Sequence, residues 1–228
     1  MKNELKYLLI VSLLLALSSP LSAQRFKGAV MGGMNLSQVD GDEVYGYKRV
    51  GGHFGLAAIL PIKKWDITLE TIFNQKGARE KQQYTLYDST ENLKYTGEYN
   101  LRLNYVEVPL MAHYTDRERY TAGLGFSYGR LVSSSEIEHG DLIPPYSDTV
   151  EFNKNDFNIL VDLQIRVWKQ LKFNIRFAYS LIPIRERTFY DIFYKTDPPW
   201  TRKQYNNMLT FRLVYVINEK VPERKVKQ

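Results

Sequence analysis

Charged side chains stand in the middle of several segments of this chain that are otherwise apolar. Glu70 interrupts "WDITLETIF", Glu107 interrupts "NYVEVPLMA" and Asp162 interrupts "FNILVDLQI". Arg176 and Arg212 occupy similar places in two later segments. Carboxylates and guanidinium groups can form buried ion pairs, relay protons or ions, or act as a general acid and base. The hypotheses for these residues are therefore an ion-paired plug, a proton or ion path, and a catalytic carboxylate pair.

Nucleophilic or metal-assisted catalysis would need further residues in a recognisable pattern. The histidines are His53, His113 and His139, and Ser135 lies near His139 in a serine-rich segment. The sequence has no H-E-x-x-H motif, and its one G-x-S-x-G match, "GFSYG" at 125–129, lies inside an alternating segment rather than at a nucleophile elbow. The run "DGDE" at 40–43 offers carboxylate oxygens but lacks the ligand spacing of a calcium loop, which favours an acidic turn. We predict no enzymatic activity, no metal site and no cofactor.

The segments that carry these charges alternate between apolar and polar residues. In one of them every second residue is apolar, namely Leu171, Phe173, Ile175, Phe177, Tyr179 and Leu181. A helix would not produce this pattern, because its side chains return to one face every 3.6 residues. Segments of this kind predict strands at 25–38, 49–61, 65–78, 99–114, 119–133, 155–168, 171–184 and 205–218.

The connections between these eight segments alternate in length. Three are tight and contain "PIKKW", "TDRER" and "KQ", whereas those at about 39–48, 79–98, 134–154 and 185–204 are long. Outer-membrane barrels have short periplasmic turns and long outer loops. The chain has 17 Tyr, 11 Phe and 3 Trp, an aromatic content that agrees with a membrane barrel. We predict an all-β fold, an eight-stranded antiparallel up-and-down transmembrane β-barrel over residues 24–218.

The N-terminus predicts export. Lys2 and Lys6 precede a short apolar run at 7–17, and small residues before Gln24 favour cleavage after Ala23, although an N-terminal anchor helix is the alternative. We therefore predict a signal peptide at 1–23, a bacterial outer-membrane location and a basic periplasmic tail at 219–228. The chain has no cysteine for lipid attachment. Its net charge of +6 is spread through turns, lumen and tail, so no nucleic-acid partner is expected.

A barrel wall would sort these side chains between lipid and lumen. The predicted lumen charge cluster faces inward, with the first five of its residues at one level; it comprises Glu70, Glu107, Asp162, Arg176, Arg212, Arg166 and Lys172. The predicted aromatic girdle has five residues at the periplasmic ends and two near the outer rim: Trp65, Tyr114, Tyr120, Trp168, Tyr215, Tyr128 and Tyr179. Pro109 lacks an N–H for the ladder, which predicts a local bulge.

Four stretches of the sequence suggest a family. They are "WDITLETIFNQKGA" at 65–78, "YVEVPL" at 105–110, "GLGFSYG" at 123–129 and "NNMLTFRLVYVI" at 206–217. Together they resemble the PorT-like outer-membrane β-barrel family of Bacteroidota. The resemblance implies a small outer-membrane barrel, some members of which assist type IX secretion and gliding. One departure is the basic tail after Ile217, because many outer-membrane barrels end on an aromatic residue.

The expected function follows from a closed lumen and long loops. We expect a non-enzymatic secretion or gliding accessory, or a surface-interaction protein, that acts through its loops or periplasmic face. A narrow passive pore and an outer-membrane lipid-modifying enzyme are the alternatives. Expected partners are outer-membrane lipid, lipopolysaccharide, which basic rim residues could touch, and a secretion or other envelope protein. "DST" at 88–90 and "DTV" at 148–150 are candidate O-glycosylation motifs.

Overall fold

The computed structural model describes residues 26–88, 93–117, 119–143, 151–189 and 198–219. The predicted signal peptide at 1–23 and tail residues 220–228 lie outside this part, as do the motif at 148–150 and most of that at 88–90. The described strands are β1 (Lys27–Asp40), β2 (Arg49–Ile62), β3 (Trp65–Glu80), β4 (Leu86–Asp88), β5 (Leu93–Tyr95), β6 (Tyr99–Asp116), β7 (Tyr120–Glu138), β8 (Asp141–Ile143), β9 (Asn155–Trp168), β10 (Leu171–Ser180), β11 (Arg185–Phe189) and β12 (Trp200–Ile217). Within the described residues, no helix is long and apolar enough to span a membrane.

Eight antiparallel strands form a closed ring. Their order is β1-β2-β3-β6-β7-β9-β10-β12, and β12 pairs with β1 from Gly28↔Ile217 to Asp40↔Tyr205. Closure leaves no free edge around the wall, so the backbone groups of each wall strand are paired on both sides. The predicted all-β, eight-stranded antiparallel barrel is confirmed. We call the end with the connections at 63–64, 117–119 and 169–170 the short-turn end, and the opposite end the long-loop end.

The wall extends further at the long-loop end than the alternation predicted. β12 begins at Trp200 and pairs with the separate strand β11, whereas the sequence placed its start at residue 205. β10 ends at Ser180 rather than at residue 184. The second long connection contains the β4–β5 hairpin, and β8 pairs with the end of β7. These pairings satisfy backbone groups where the sequence indicated irregular loops.

Side chains alternate between the outside and the lumen along each wall strand. On β9 the outward Val161, Leu163 and Ile165 are exposed, whereas the inward Leu160 and Asp162 are buried. This division follows from the two-residue period of a strand, because successive side chains point to opposite faces. The barrel therefore has an apolar outer surface and an interior that collects the polar residues.

The prediction of a bulge at Pro109 is wrong. Pro109 pairs with Ser127 of β7 in an unshifted register, and the pairings of β6 with β3 on either side of Pro109 share one register. The missing proline N–H thus interrupts the β3–β6 ladder without adding a residue. The register shift lies higher, where Tyr105 pairs with Leu131 but Asn104 pairs with Ser133. Because one β7 residue is skipped there, the side chains beyond it exchange faces.

Gly33 on β1 is required by the close approach of β12. It pairs directly with Arg212, and a Cβ atom at Gly33 would lie 2.1 Å from the Phe211 carbonyl oxygen and 2.6 Å from the Arg212 Cα. Backbone atoms cannot move aside as a flexible side chain can. A side chain at position 33 would therefore push β12 outward together with Arg212.

We predict that Gly33→Ala destabilises the barrel by about 1–3 kcal/mol, the usual cost of overpacking. The matched control is Gly32→Ala on the same strand, where the nearest atom to the added Cβ is 3.9 Å away. Urea unfolding in detergent micelles, followed by the mobility difference between boiled and unboiled protein, measures both variants. Equal stability of the two variants would contradict the assigned β1–β12 packing.

Candidate functional site

Four charged residues form a closed group in the centre of the lumen, which we call the central ion group: Glu70, Asp162, Arg176 and Arg212. Arg176 donates to Glu70 through Nη1 and Nη2 at 2.8 and 2.9 Å, and to Asp162 through Nε and Nη2 at 2.6 and 2.8 Å. Arg212 donates to Glu70 at 3.0 and 3.1 Å and to Asp162 at 3.3 Å. Two carboxylates and two guanidinium groups balance in charge, and paired planar groups are the strongest hydrogen-bonding arrangement for them.

The register between neighbouring strands determines where the central ion group lies. Arg176 of β10 lies directly opposite Asp162 of β9, and Arg212 of β12 lies directly opposite Asn174 of β10. Asn174 Oδ1 accepts from Arg212 Nε at 2.7 Å. Glu70 reaches the pair from β3, across the lumen. Arg176 and Arg212 are each 1 % exposed, so side chains close the barrel at this level.

A second cluster, the upper ion group, lies further toward the long-loop end and consists of Lys76, Glu107 and Asp156. Lys76 Nζ lies 2.7 Å from Glu107 Oε1 and 3.0 Å from Asp156 Oδ2, and it donates to Asn158 Oδ1 at 3.1 Å. The ammonium therefore donates two hydrogen bonds, to Asp156 and Asn158, and forms an ion pair with Glu107. Lys76 is 0 % exposed, and its Nζ lies 5.0 Å from the centre of the Tyr105 ring.

The upper ion group carries two carboxylates for one ammonium, and neutral donors solvate the surplus charge. Asp156 accepts from Ser180 Oγ at 2.7 Å and from Asn206 Nδ2 at 2.9 Å. Glu107 Oε2 accepts from Asn74 Nδ2 at 3.0 Å. Such hydrogen bonds replace water around a buried carboxylate, which otherwise costs several kcal/mol.

His53 and Asn74 connect the two groups. His53 Nε2 lies 3.2 Å from Arg212 Nη1, and His53 Nδ1 lies 2.5 Å from Asn74 Oδ1. A guanidinium can only donate and an amide oxygen can only accept, so the imidazole is neutral with its proton on Nδ1. Hydrogen bonds therefore run without a break from Arg212 through His53 and Asn74 to Glu107.

Near the long-loop end lies a third cluster, the rim ion group, built on Arg185 and Glu136. Arg185 donates to both carboxylate oxygens of Glu136 at 2.7 and 2.6 Å, to Tyr99 Oη at 3.0 Å and, through Nε, to Gln204 Oε1 at 2.6 Å. Burial raises the pKa of the nearby Asp42 carboxyl to about 7, because the Val44 amide and the charge of Arg185 only partly replace its hydration. The long-loop end is thus closed by side chains as well.

At the short-turn end the chain folds back after β12 and places Glu219 in the mouth of the lumen, where it forms the mouth ion group with Lys27, Arg166 and Lys172. Arg166 donates to the carboxylate through Nη1 and Nη2 at 2.8 and 3.1 Å, and Lys172 and Lys27 lie 3.3 and 3.5 Å away. Burial alone would raise the pKa of Glu219, but the Arg166 hydrogen bonds and the charges of Lys172 and Lys27 hold it below its ordinary value.

His113 lies between the central ion group and the mouth, in contact with a hydroxyl and a carboxylate. Its Nδ1 lies 3.2 Å from Thr68 Oγ1, and its Nε2 lies 3.1 Å from Asp162 Oδ2. This order resembles a charge-relay arrangement, but Asp162 is already bound by two arginines and the adjoining cavity measures about 20 Å³. Such a cavity holds about one water molecule, which leaves no room for a substrate. Hydrogen bonding that fills the lumen is what this geometry supports.

The structure divides the predicted lumen charge cluster into three parts. Glu70, Asp162, Arg176 and Arg212 lie together, Glu107 lies in the upper ion group, and Arg166 and Lys172 lie in the mouth ion group. Glu107 does not lie at the same level as Glu70. It pairs with Ile72, which is two residues further from the turn than Glu70 on β3. Counting residues from each turn ignores the stagger of strands in a closed barrel.

The predicted girdle residues all lie on the outer face. Trp65, Tyr114, Tyr120, Trp168 and Tyr215 are at the short-turn end, and Tyr128 and Tyr179 are nearer the long-loop end. Trp65 and Tyr114 pack with ring centres 5.2 Å apart. Their role as membrane-interface residues stays a prediction. Among the described residues, no group of three or more His, Asp or Glu is arranged to hold a metal ion.

Several residues of these groups were missed by sequence reasoning. Lys76 and Asp156 share the inward face of Glu70 and Asp162 on their own strands, so alternation continued to the strand ends would have found them. Glu136 could not be found in this way. The register shift beside Tyr105 exchanges the faces of β7, and a single strand gives no sign of that shift.

Comparisons with known proteins agree with this architecture. A family model described as outer membrane protein beta-barrel domain matches residues 20–186. Among solved structures, neisserial surface protein A is 9 % identical (TM-score 0.46), with coverage of 82 % of this chain and 96 % of that chain. Ail of Yersinia pestis, in complex with the heparin analogue sucrose octasulfate, is 10 % identical (TM-score 0.45; 85 % and 99 % covered). A major outer membrane protein from Thermus thermophilus is 12 % identical (TM-score 0.44; 84 % and 99 % covered). No curated protein matches the sequence.

Lys76→Met is expected to destabilise the barrel by about 3–5 kcal/mol, because it leaves two buried carboxylates without their cation. The triple variant Lys76→Met, Glu107→Gln, Asp156→Asn removes the charges together and should recover most of that loss. Chemical unfolding in micelles, followed by tryptophan fluorescence, measures both. A triple variant that is no more stable than the single one would show that the three charges do not act as a unit.

Glu219→Gln is expected to lower stability by about 1–2 kcal/mol at pH 7, through loss of charged hydrogen bonds. The pKa of Glu219 in the folded protein lies below its ordinary value of 4.5. The contribution of Glu219 to stability is therefore complete above pH 4.5 and is lost as the pH falls through the folded pKa. The difference from the native protein should therefore shrink as the pH falls below 4.5. Glu186→Gln, at an exposed carboxylate paired with Lys203, is the control. A difference that stays constant from pH 7 to pH 3 would exclude the proposed mouth contacts.

Proposed function

This chain belongs to the family described as outer membrane protein beta-barrel domain, and on that premise we propose that it works through its surfaces rather than its lumen. It is an outer-membrane β-barrel protein whose short-turn end faces the periplasm, as in other barrels of this kind. Its role in this proposal is that of a non-enzymatic accessory of secretion and gliding, or of a surface-interaction protein. The motif resemblance to PorT-like proteins of Bacteroidota supports the type IX version of this role.

The observation that carries the proposal is the filled lumen. Arg176, Arg212, Lys76 and Tyr105 are all at most 1 % exposed, and four ion groups lie one above another from the mouth to the rim. Moving a solute along this axis would require paired buried charges to separate, at several kcal/mol for each ion. A barrel that is closed in this way supports function at its two ends.

The long-loop end offers exposed aromatic side chains beyond the lipid-facing wall. Tyr45 follows β1 and is 79 % exposed, and Tyr87 on β4 is 74 % exposed. Tyrosine is enriched at protein–protein contacts, because its large ring contributes apolar area and its hydroxyl contributes a hydrogen bond. These two residues are the candidate contacts for a partner outside the cell or within the secretion machinery.

The alternatives make different predictions. A narrow passive pore would need the ion groups to open, and single-channel conductance steps in planar bilayers would support it in place of our proposal. A lipid-modifying enzyme would need His113 or another histidine to act on a lipid. Altered outer-membrane lipid composition after substitution of the histidines would favour that alternative.

We expect a photo-reactive amino acid at position 45 or 87 to cross-link the native protein to an envelope protein in living cells. A photo-reactive group at position 56, where Leu56 is 63 % exposed on the lipid-facing wall, is the matched control and should give lipid adducts only. Deletion of the gene should reduce secretion and gliding, with restoration by the native chain. Normal secretion and gliding after deletion, with no cross-linked protein at either position, would overturn the proposal.

A further inference from the structure

Basic residues occupy backbone positions in the periplasmic turns that usually belong to other residue types. Lys63, Arg117 and Lys169 have φ angles of 58°, 47° and 41°, one in each of the three short turns. This left-handed conformation favours glycine or asparagine, because a larger side chain approaches its own backbone too closely. The turn geometry by itself therefore does not account for a long cationic side chain at all three places.

The same turns lie directly below exposed aromatic rings. The Lys169 Nζ lies 5.0 Å from the centre of the Trp168 ring, and the Arg119 guanidinium lies 5.6 Å from that of Tyr120. Trp168 is 64 % exposed on the outer wall. Amphipathic rings on a lipid-facing wall locate the membrane interface, so cations next to them lie at the level of lipid phosphates.

Charge in these turns is mostly positive and accessible. Residues 63–64, 116–119 and 169–170 include five basic and two acidic residues. The five basic side chains, Lys63, Lys64, Arg117, Arg119 and Lys169, are all exposed. Arg117 Nε lies 3.7 Å from Asp116 Oδ2, a long contact between two exposed groups that is worth little in water. These cations thus remain available to an external anion.

We propose that these five basic residues form a periplasmic collar that binds anionic phospholipid headgroups of the inner leaflet. The turns connect β2 to β3, β6 to β7 and β9 to β10, which are successive pairs around the ring. The collar therefore surrounds the perimeter rather than forming one patch. Lipid contacts a barrel from every side, whereas a folded protein partner would contact one side. The proposal is independent of any secretion role.

Tryptophan fluorescence can test the collar directly, because Trp65 and Trp168 lie beside it. The chain has 3 Trp, and Trp200 lies at the opposite end on β12. Trp200→Phe removes that remote signal. The protein is reconstituted into phosphatidylcholine vesicles that contain brominated phosphatidylglycerol or, separately, brominated phosphatidylcholine. Quenching should indicate about a fivefold preference for the anionic lipid at low salt, which about 1 M sodium chloride should abolish.

The decisive variant is the triple substitution Lys63→Asn, Arg117→Asn, Lys169→Asn. Asparagine tolerates the left-handed conformation, so folding should be retained while the lipid preference falls toward one. The control Lys48→Asn, Arg202→Asn, Lys203→Asn removes the same charge from the long-loop end and should keep the preference. Lys63→Arg with Lys169→Arg should also keep it.

Two results would overturn the proposal. One is equal quenching of the native protein by the two brominated lipids. The other is an asparagine variant that folds, as judged by its heat-dependent gel mobility, and still prefers phosphatidylglycerol. Equal quenching combined with binding of a polyglutamate peptide at the turns would replace the lipid with an acidic protein partner.

Discussion

A carboxylate or guanidinium group inside an eight-stranded barrel has neither bulk water nor lipid phosphate around it. Side chains on other strands must therefore supply its hydrogen bonds and opposite charges. Glu70 meets this requirement by accepting from Arg176 on β10 and Arg212 on β12, both on the opposite part of the ring. The same requirement joins Lys76 to Glu107 and Asp156. The contacts of Glu70 with Arg176 and Arg212, and of Lys76 with Asp156, tie together strands that are far apart in the chain, so the ion groups link the ring across the lumen as well as filling it.

Filling the lumen in this way has a functional consequence. A barrel of this size can be packed by side chains, and this one is packed by groups whose separation is costly. The parts left to interact with other molecules are the two ends, which carry the loop tyrosines and the turn cations, and the lipid-facing wall.

The two ends are closed by different means. At the long-loop end, Arg185 and Glu136 come from strand extensions that rise beyond the wall, and Tyr99 and Gln204 complete their hydrogen bonds. At the short-turn end a single carboxylate, Glu219, faces three cations after the last strand. Protonation of Glu219 at low pH would leave these three cations without the carboxylate that binds them, which would weaken the closure of this end.

Alternation along the sequence was enough to predict the ring of eight strands and the inward direction of Glu70, Asp162, Arg176 and Arg212, because the period of two is a local property of each strand. It could not predict which charges meet. The separation of Glu107 from the central group depends on stagger between strands, and the inward direction of Glu136 depends on a register shift in the β6–β7 pair. Both are relations between strands, which appear only when the barrel closes and every residue acquires a neighbour across the sheet.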